Sequence, residues 1–253
     1  MIDSVRSTVL AALNKNNYGY LSPSDFNLYA KQAQLEIFEN LFYQYNTQIN
    51  LENVRRSGTD YANITKNIRE VIDLFLVNIN LTQVSANQNF YYRPAAATTG
   101  SDFYYINSIS CYSNNVFLNE AEKVDSGKLD VLNSSSITKP SKSFPIYVVT
   151  GDQLGVYPNT INGATDVLCR YVRYPKDPVW TYNSTLIGQA PIFNASATDY
   201  QDFELPKDYF NDLVNNILKY AGLEIREPMV MSFANNEEMK GNLQNTQKKT
   251  SKK

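Results

Sequence analysis

Histidine is missing altogether from the 253 residues. With it go the usual general base of enzymes and the commonest zinc ligand, so Ser-His-Asp, Cys-His and H-E-x-x-H chemistry are all excluded. Cysteine is nearly absent too. Cys111 and Cys169 stand far apart in sequence, which suits a reducing compartment and argues against a disulfide framework or thiolate metal site. Both read as small core hydrophobes. Neither a G-x-G-x-x-G after a strand nor a Walker-type G-x-x-x-x-G-K occurs, so a nucleotide site has no support. No stretch approaches the roughly 18 consecutive apolar residues of a membrane span. The start MIDSVRSTVLAALNKNN lacks a basic region followed by an apolar run, so neither export nor membrane insertion is expected.

What is present is an ordinary globular composition, 43% hydrophobic and 19% charged, with unevenly placed charge. Residues 240–253 carry five lysines and no acid, so residues 1–239 hold −7 of a total of −2. Such a basic polar tail is either a solvated terminus or an arm that orders on an acidic partner. The 19 Tyr and 12 Phe combine contact area with polar handles, which suits packing in a β-rich domain and equally suits protein interfaces.

Helical spacing of Val5, Val9, Ala12 and Leu13 predicts a helix over residues 3–15. Ser22-Pro23-Ser24-Asp25 predicts a sharp helix start, with a serine cap, a proline at the first helical position and an acid at the positive end. From Pro23 to about Tyr45 two apolar sets appear: Phe26, Ala30, Ala33, Ile37 and Leu41, and Leu28, Leu35, Phe38, Phe42 and Tyr45. They span roughly 220° where a one-sided helix needs about 100°. This helix meets partners on two sides, either within one bundle or with one side on a neighbouring subunit.

Arg55-Arg56-Ser57-Gly58 breaks the pattern; Ile64, Ile68, Ile72 and Phe75 resume it, and residues 76–81 alternate like a strand. Residues 86–101 read as a long loop and 103–118 as strands, while residues 120–132 suit a short acidic helix. Three strands forming an antiparallel meander are expected between Pro145 and Tyr174, with turns at Gly151-Asp152 and near Asn162-Gly163. An extended loop then runs to Asp202. Glu204-Leu205-Pro206 opens a helix that buries Phe210, Leu213, Val214, Ile217, Leu218 and Ala221.

The expectation is an α+β chain: a helical bundle from residues 1–78 and 203–239, a central antiparallel β-rich region over 79–202, and a basic flexible tail over 240–253. Glu120, Glu122 and Asp125 form an acidic cluster that reads as a solvated face. Arg170 and Arg173 fall on opposite faces of a strand, which speaks against a single nucleic-acid-binding stripe and leaves surface packing or polar contacts between subunits.

Three segments stand out: MIDSVRSTVLAALNKNNYGYLSPSDFNLYAKQAQLEIFENLF, KPSKSFPIYVVTGDQLGVYPNTINGATDVLCRYVRYPKDPVW, and FELPKDYFNDLVNNILKYAGLEI with its polar tail. Together they resemble the head-to-tail connector, or adaptor, ring proteins of podovirus-type tailed bacteriophages, most of all those of crAss-like phages. The resemblance implies a structural virion protein, not an enzyme. It would be one subunit of an oligomeric, dodecameric ring beneath the portal protein, carrying the next tail ring. Double-stranded DNA would pass through the lumen without sequence-specific binding, and no cofactor, metal or membrane is involved. The protein would reside in the virion, and in the host cytoplasm during assembly. A ring closes when one heterologous contact repeats around an axis. Phe38, Phe42, Tyr45, Arg170 and Arg173 are candidates for that contact, and Met229, Met231, Phe233, Lys248 and Lys249 for docking on the portal. The alternative is a tail- or capsid-associated protein that binds a host surface component through its aromatic β region.

Overall fold

The computed structural model describes residues 1–14, 21–53, 64–94, 103–113, 116–183 and 191–225. The chain is α+β and divides into two units, Met1–Ile72 with Pro175–Lys253, and Asp73–Tyr174.

The first unit is helical. α1 (Ile2–Asn14) turns Ile2, Val5, Val9 and Leu13 inward, at the spacing that stacks side chains on one face. α2 (Pro23–Asn53) is 31 residues long. Its start is capped as the sequence predicts: the Asp25 amide donates to Ser22 Oγ at 3.2 Å, and the Ser22 hydroxyl donates back to the Asp25 carboxylate. Phe26, Ala30, Ala33, Ile37, Phe38 and Leu41 of α2 are buried. α3 (Ile64–Asp73) buries Ile68 and Ile72. A 3-10 turn at Lys207–Tyr209 leads into α5 (Phe210–Ile225), which packs against α1 and α2 through Leu213, Val214, Ile217, Leu218 and Ala221. Across the α2–α5 seam Tyr220 donates to Glu36 at 2.8 Å and stacks on Tyr29.

Residues 175–183 and 191–206 belong to this helical unit rather than to the β region, because they are bonded into it. Trp180 is 2% exposed. Its amide donates to Asn27 Oδ1 at 2.8 Å, its indole N–H donates to Asp3 Oδ1 at 3.0 Å, and the Arg6 guanidinium lies 3.8 Å from its ring centre. Gln34 bridges the same segment, donating to the Lys176 carbonyl and accepting from the Glu204 amide. A short hairpin of β9 (Tyr182–Asn183) and β10 (Ile192–Phe193) stacks Tyr182 and Phe193 on Trp180.

The second unit holds two four-stranded sheets around one core. One has the order β1 (Leu76–Asn80), β8 (Val167–Arg173), β3 (Phe103–Ser113), β4 (Val116–Glu120). The other runs β2 (Phe90–Tyr92), β7 (Gln153–Tyr157), β6 (Ile146–Thr150), β5 (Glu122–Lys123). Pairing is antiparallel throughout, apart from β5 with β6. Ile109, Cys111, Val167, Cys169 and Tyr171 from the first sheet meet Tyr91, Tyr147, Leu154 and Val156 from the second.

Several expectations change here. The helical and β regions divide at 73 and 175 rather than at 79 and 203. The three strands between Pro145 and Tyr174 are not one meander: β6 and β7 form a hairpin, while β8 joins the other sheet between β1 and β3. The expected 86–101 loop contains β2, recruited by β7, with Phe90 packed over Gly155 where a Cβ would come within 3.1 Å of its ring. The helix expected over 120–132 is shorter and later. Glu120 ends β4, Glu122 pairs beside Ile146 in β5, and α4 spans Ser126–Ser134. Gly151, at φ 57°, makes the tight β6–β7 turn that a side chain would strain. Among the described residues, no helix is long and apolar enough to cross a membrane.

Candidate interaction surfaces

The interface candidates separate once their surroundings are seen. Phe38 is fully buried and meets Phe42 edge-to-face at 5.0 Å, so it belongs to the helical core and cannot present itself to another subunit. Its position in the second apolar set misled the reading, since helical spacing ranks residues by angle and not by what covers them. Phe42 and Tyr45 are half-buried, whereas Leu28 and Tyr43 on the same helix are exposed. Part of α2's wide apolar arc thus remains at the surface.

Arg170 and Arg173 point to opposite faces of β8. Arg170 is exposed and donates from Nε to Asn78 Oδ1 of the adjacent β1 at 3.1 Å. Arg173 is half-buried; it donates from Nη1 to the Tyr174 carbonyl at 3.1 Å and lies 5.9 Å over the Phe75 ring. Neither builds a shared cationic surface with the other. Met229, Met231, Phe233, Lys248 and Lys249 lie outside the described residues, as does the whole 240–253 tail.

A surface that sequence reading missed lies in the second unit. α4 is nine residues long and buries none of them. Val131 on it is exposed, and beyond its end Ile137 is 93% exposed and Phe144 74%. This is not loose chain. Ser141 and Phe144 exchange two backbone hydrogen bonds, at 3.3 and 3.1 Å, and the Phe144 amide also lies 3.2 Å from Ser141 Oγ. Asn119 of β4 donates to the Ser143 carbonyl at 2.7 Å and ties this turn to the sheet. Further along β4, Val116 and Phe117 are exposed, with Phe117 packed edge-to-face on Tyr112. The turn is thus ordered while it holds Phe144 out in water. From Val131 to Gly151 there are two lysines, Lys139 and Lys142, both exposed, and no acid.

The first unit also exposes large apolar side chains on the β9–β10 hairpin, on its two opposite faces, since Tyr182 pairs with Phe193 and Ile192 with Asn183. Ile192 and Tyr182 are exposed there, and Tyr200 packs edge-to-face on Phe193 at 5.7 Å. The adjoining stretch 199–212 holds five acids against one lysine; Asp199, Asp208 and Asp212 are exposed. Asp202 is different. Burial opposes its charge, but hydrogen bonds from the Met1 ammonium at 2.6 Å, the Ile2 amide at 2.7 Å and the Phe203 amide at 2.8 Å prevail and hold its carboxyl below the usual range.

Glu120, Glu122 and Asp125 are all exposed, and among the described residues no group of three or more Asp, Glu or Cys side chains could hold a metal ion. Burial pushes the Cys111 thiol up to about 12, aided by the Asp166 charge, and burial alone does the same for Cys169. At neutral pH both stay protonated and unreactive. The chain matches no known protein-family model and no curated protein significantly.

Proposed function

We propose that this protein is a structural subunit of an oligomeric ring that joins the portal of a tailed bacteriophage to its tail, with DNA passing through the lumen, and that it acts by assembly rather than catalysis. The supporting observation is that ordered backbone on each of the two units holds large apolar side chains out in water: Ile137 and Phe144 on one, Ile192 and Tyr182 on the other. Two unlike sticky surfaces on one chain are what a heterologous contact requires, and a heterologous contact repeated around an axis closes into a ring. The lack of histidine supports the non-catalytic side of the reading. An acidic body lets a polyanion slide past, since tight binding needs cations set against phosphates.

Native mass spectrometry of the full chain, alone and then with a portal ring, tests this. The expected result is a discrete high-order assembly, formed either spontaneously or on addition of the portal. A monomer indifferent to the portal would overturn the proposal and turn attention to host-surface binding by the β region.

A further inference from the structure

We infer that Asn162 is a latent deamidation site, which the turn around Gly163 keeps unreactive through Gln83 and Asp166. Deamidation is covalent ageing, and it bears on this chain whether or not the chain forms a ring.

Asn162-Gly163 is the one Asn-Gly pair in the sequence. Such a pair is prone to modify itself, because glycine has no side chain to shield its nitrogen or to restrict its backbone. The Gly163 nitrogen attacks the Asn162 side-chain carbon Cγ; a bond forms between them and the Cγ–Nδ2 bond breaks. Ammonia leaves, carrying Nδ2 and the proton from the Gly163 nitrogen, and a cyclic succinimide remains. Water then opens that ring to aspartate or iso-aspartate. Two things are needed: the nitrogen must give up its proton, and the peptide unit must be free to meet Cγ.

Both are opposed here. The Gly163 N–H donates to Asp166 Oδ2 at 2.9 Å, so proton loss would set an anion against a carboxylate, and a like charge nearby disfavours ionisation. At the other end of the same peptide unit, the Asn162 carbonyl accepts from Gln83 Nε2 at 2.5 Å. The next unit is held too, since the Gly163 carbonyl accepts from the Tyr91 hydroxyl at 3.0 Å and from the Asp166 amide at 3.2 Å. The Asn162 side-chain amide donates to the Asn87 carbonyl at 3.3 Å. Glycine is needed at this place, because a Cβ at 163 would lie 2.6 Å from the Asp166 carboxyl carbon. The carboxylate that excludes a side chain at 163 is thus the one that guards the exposed nitrogen.

The test incubates the full chain in mildly alkaline buffer, folded or unfolded in guanidinium, and follows Asn162 by peptide mapping with mass spectrometry. Losing one such hydrogen bond shifts the population of the opened turn about tenfold. Deamidation at Asn162 should be slower in the folded chain than in the unfolded one by about tenfold or more, and Asp166→Ala and Gln83→Ala should each speed it about tenfold in the folded state. Circular dichroism establishes that each variant is folded. Should Asp166→Ala fail to fold, Gln83→Ala and hydrogen exchange of the Gly163 amide in the unsubstituted chain decide, because exchange proceeds through the same proton loss and should be slow. Equal rates in the folded and unfolded chain, folded variants that deamidate no faster than the parent, or a freely exchanging Gly163 amide would overturn the inference.

Discussion

Trp180 is the residue on which most of the helical unit converges. It joins α1 through Asp3 and Arg6, α2 through Asn27, and the β9–β10 hairpin through ring stacking. Replacing it with alanine leaves a cavity and strips three elements of a shared partner. Trp180→Ala should cost about 3–5 kcal/mol, read as a fall in the denaturant midpoint of unfolding. The two thiols make a different prediction. Held near 12 by burial, neither Cys111 nor Cys169 should react with an aromatic disulfide reagent at about pH 8, and both should react in denaturant. Rapid native labelling of either would contradict their core placement. Asp202 links stability to acidity. Its native pKa lies below that of the unfolded chain, so the stability it contributes is fully present above the ordinary carboxylate range near 4 and is lost as pH falls through the lowered native value. Burial raises Asp212 instead, which acts with the opposite sign, so the effect is best isolated by difference. Asp202→Asn should be less stable than the parent at neutral pH, with the two stability curves converging in acid.

At the scale of elements, what could be read in advance was whatever the chain settles locally. The α2 start was legible because Ser22 and Asp25 satisfy each other within one turn. Removing that cap with Ser22→Ala should cost about 1 kcal/mol, measurable by thermal unfolding. α5 was legible from its apolar spacing. The strand partners were not, because β8 pairs with β1 and β3 across 56 to 96 residues of chain, from Cys111 with Val167 to Leu76 with Val172, and hydrophobic alternation carries no record of which edge a strand will join. The two-residue β5 fails for the same reason: Glu122 and Lys123 have no strand signal of their own and are extended only because β6 lies beside them. The exposed apolar segments were least legible. Ile137 and Phe144 look in sequence like any core residues, and exposure depends on which neighbours fail to cover them.

For the whole molecule, the second unit is one continuous segment, Asp73–Tyr174, with a core drawn from its own two sheets. Such a segment meets the usual description of a domain. Expressed alone, residues 73–174 should give a β-rich circular dichroism spectrum and a cooperative thermal transition; a featureless, non-cooperative melt would show that its core is insufficient by itself.

The first unit, by contrast, is split by that insertion, and this bears on how the protein is made. α1 and α2 leave the ribosome early, yet α5 and the Trp180 segment that cover their apolar faces come from the far side of the β unit. At translation rates of roughly 5–20 residues per second, the ~130–170 residues from the end of α2 to Trp180 and the end of α5 hold that helical face uncovered for about 6–35 s. The apolar helical face is therefore uncovered during synthesis, before the chain is complete. A slowly translated stretch within residues 73–174 would prolong that exposure.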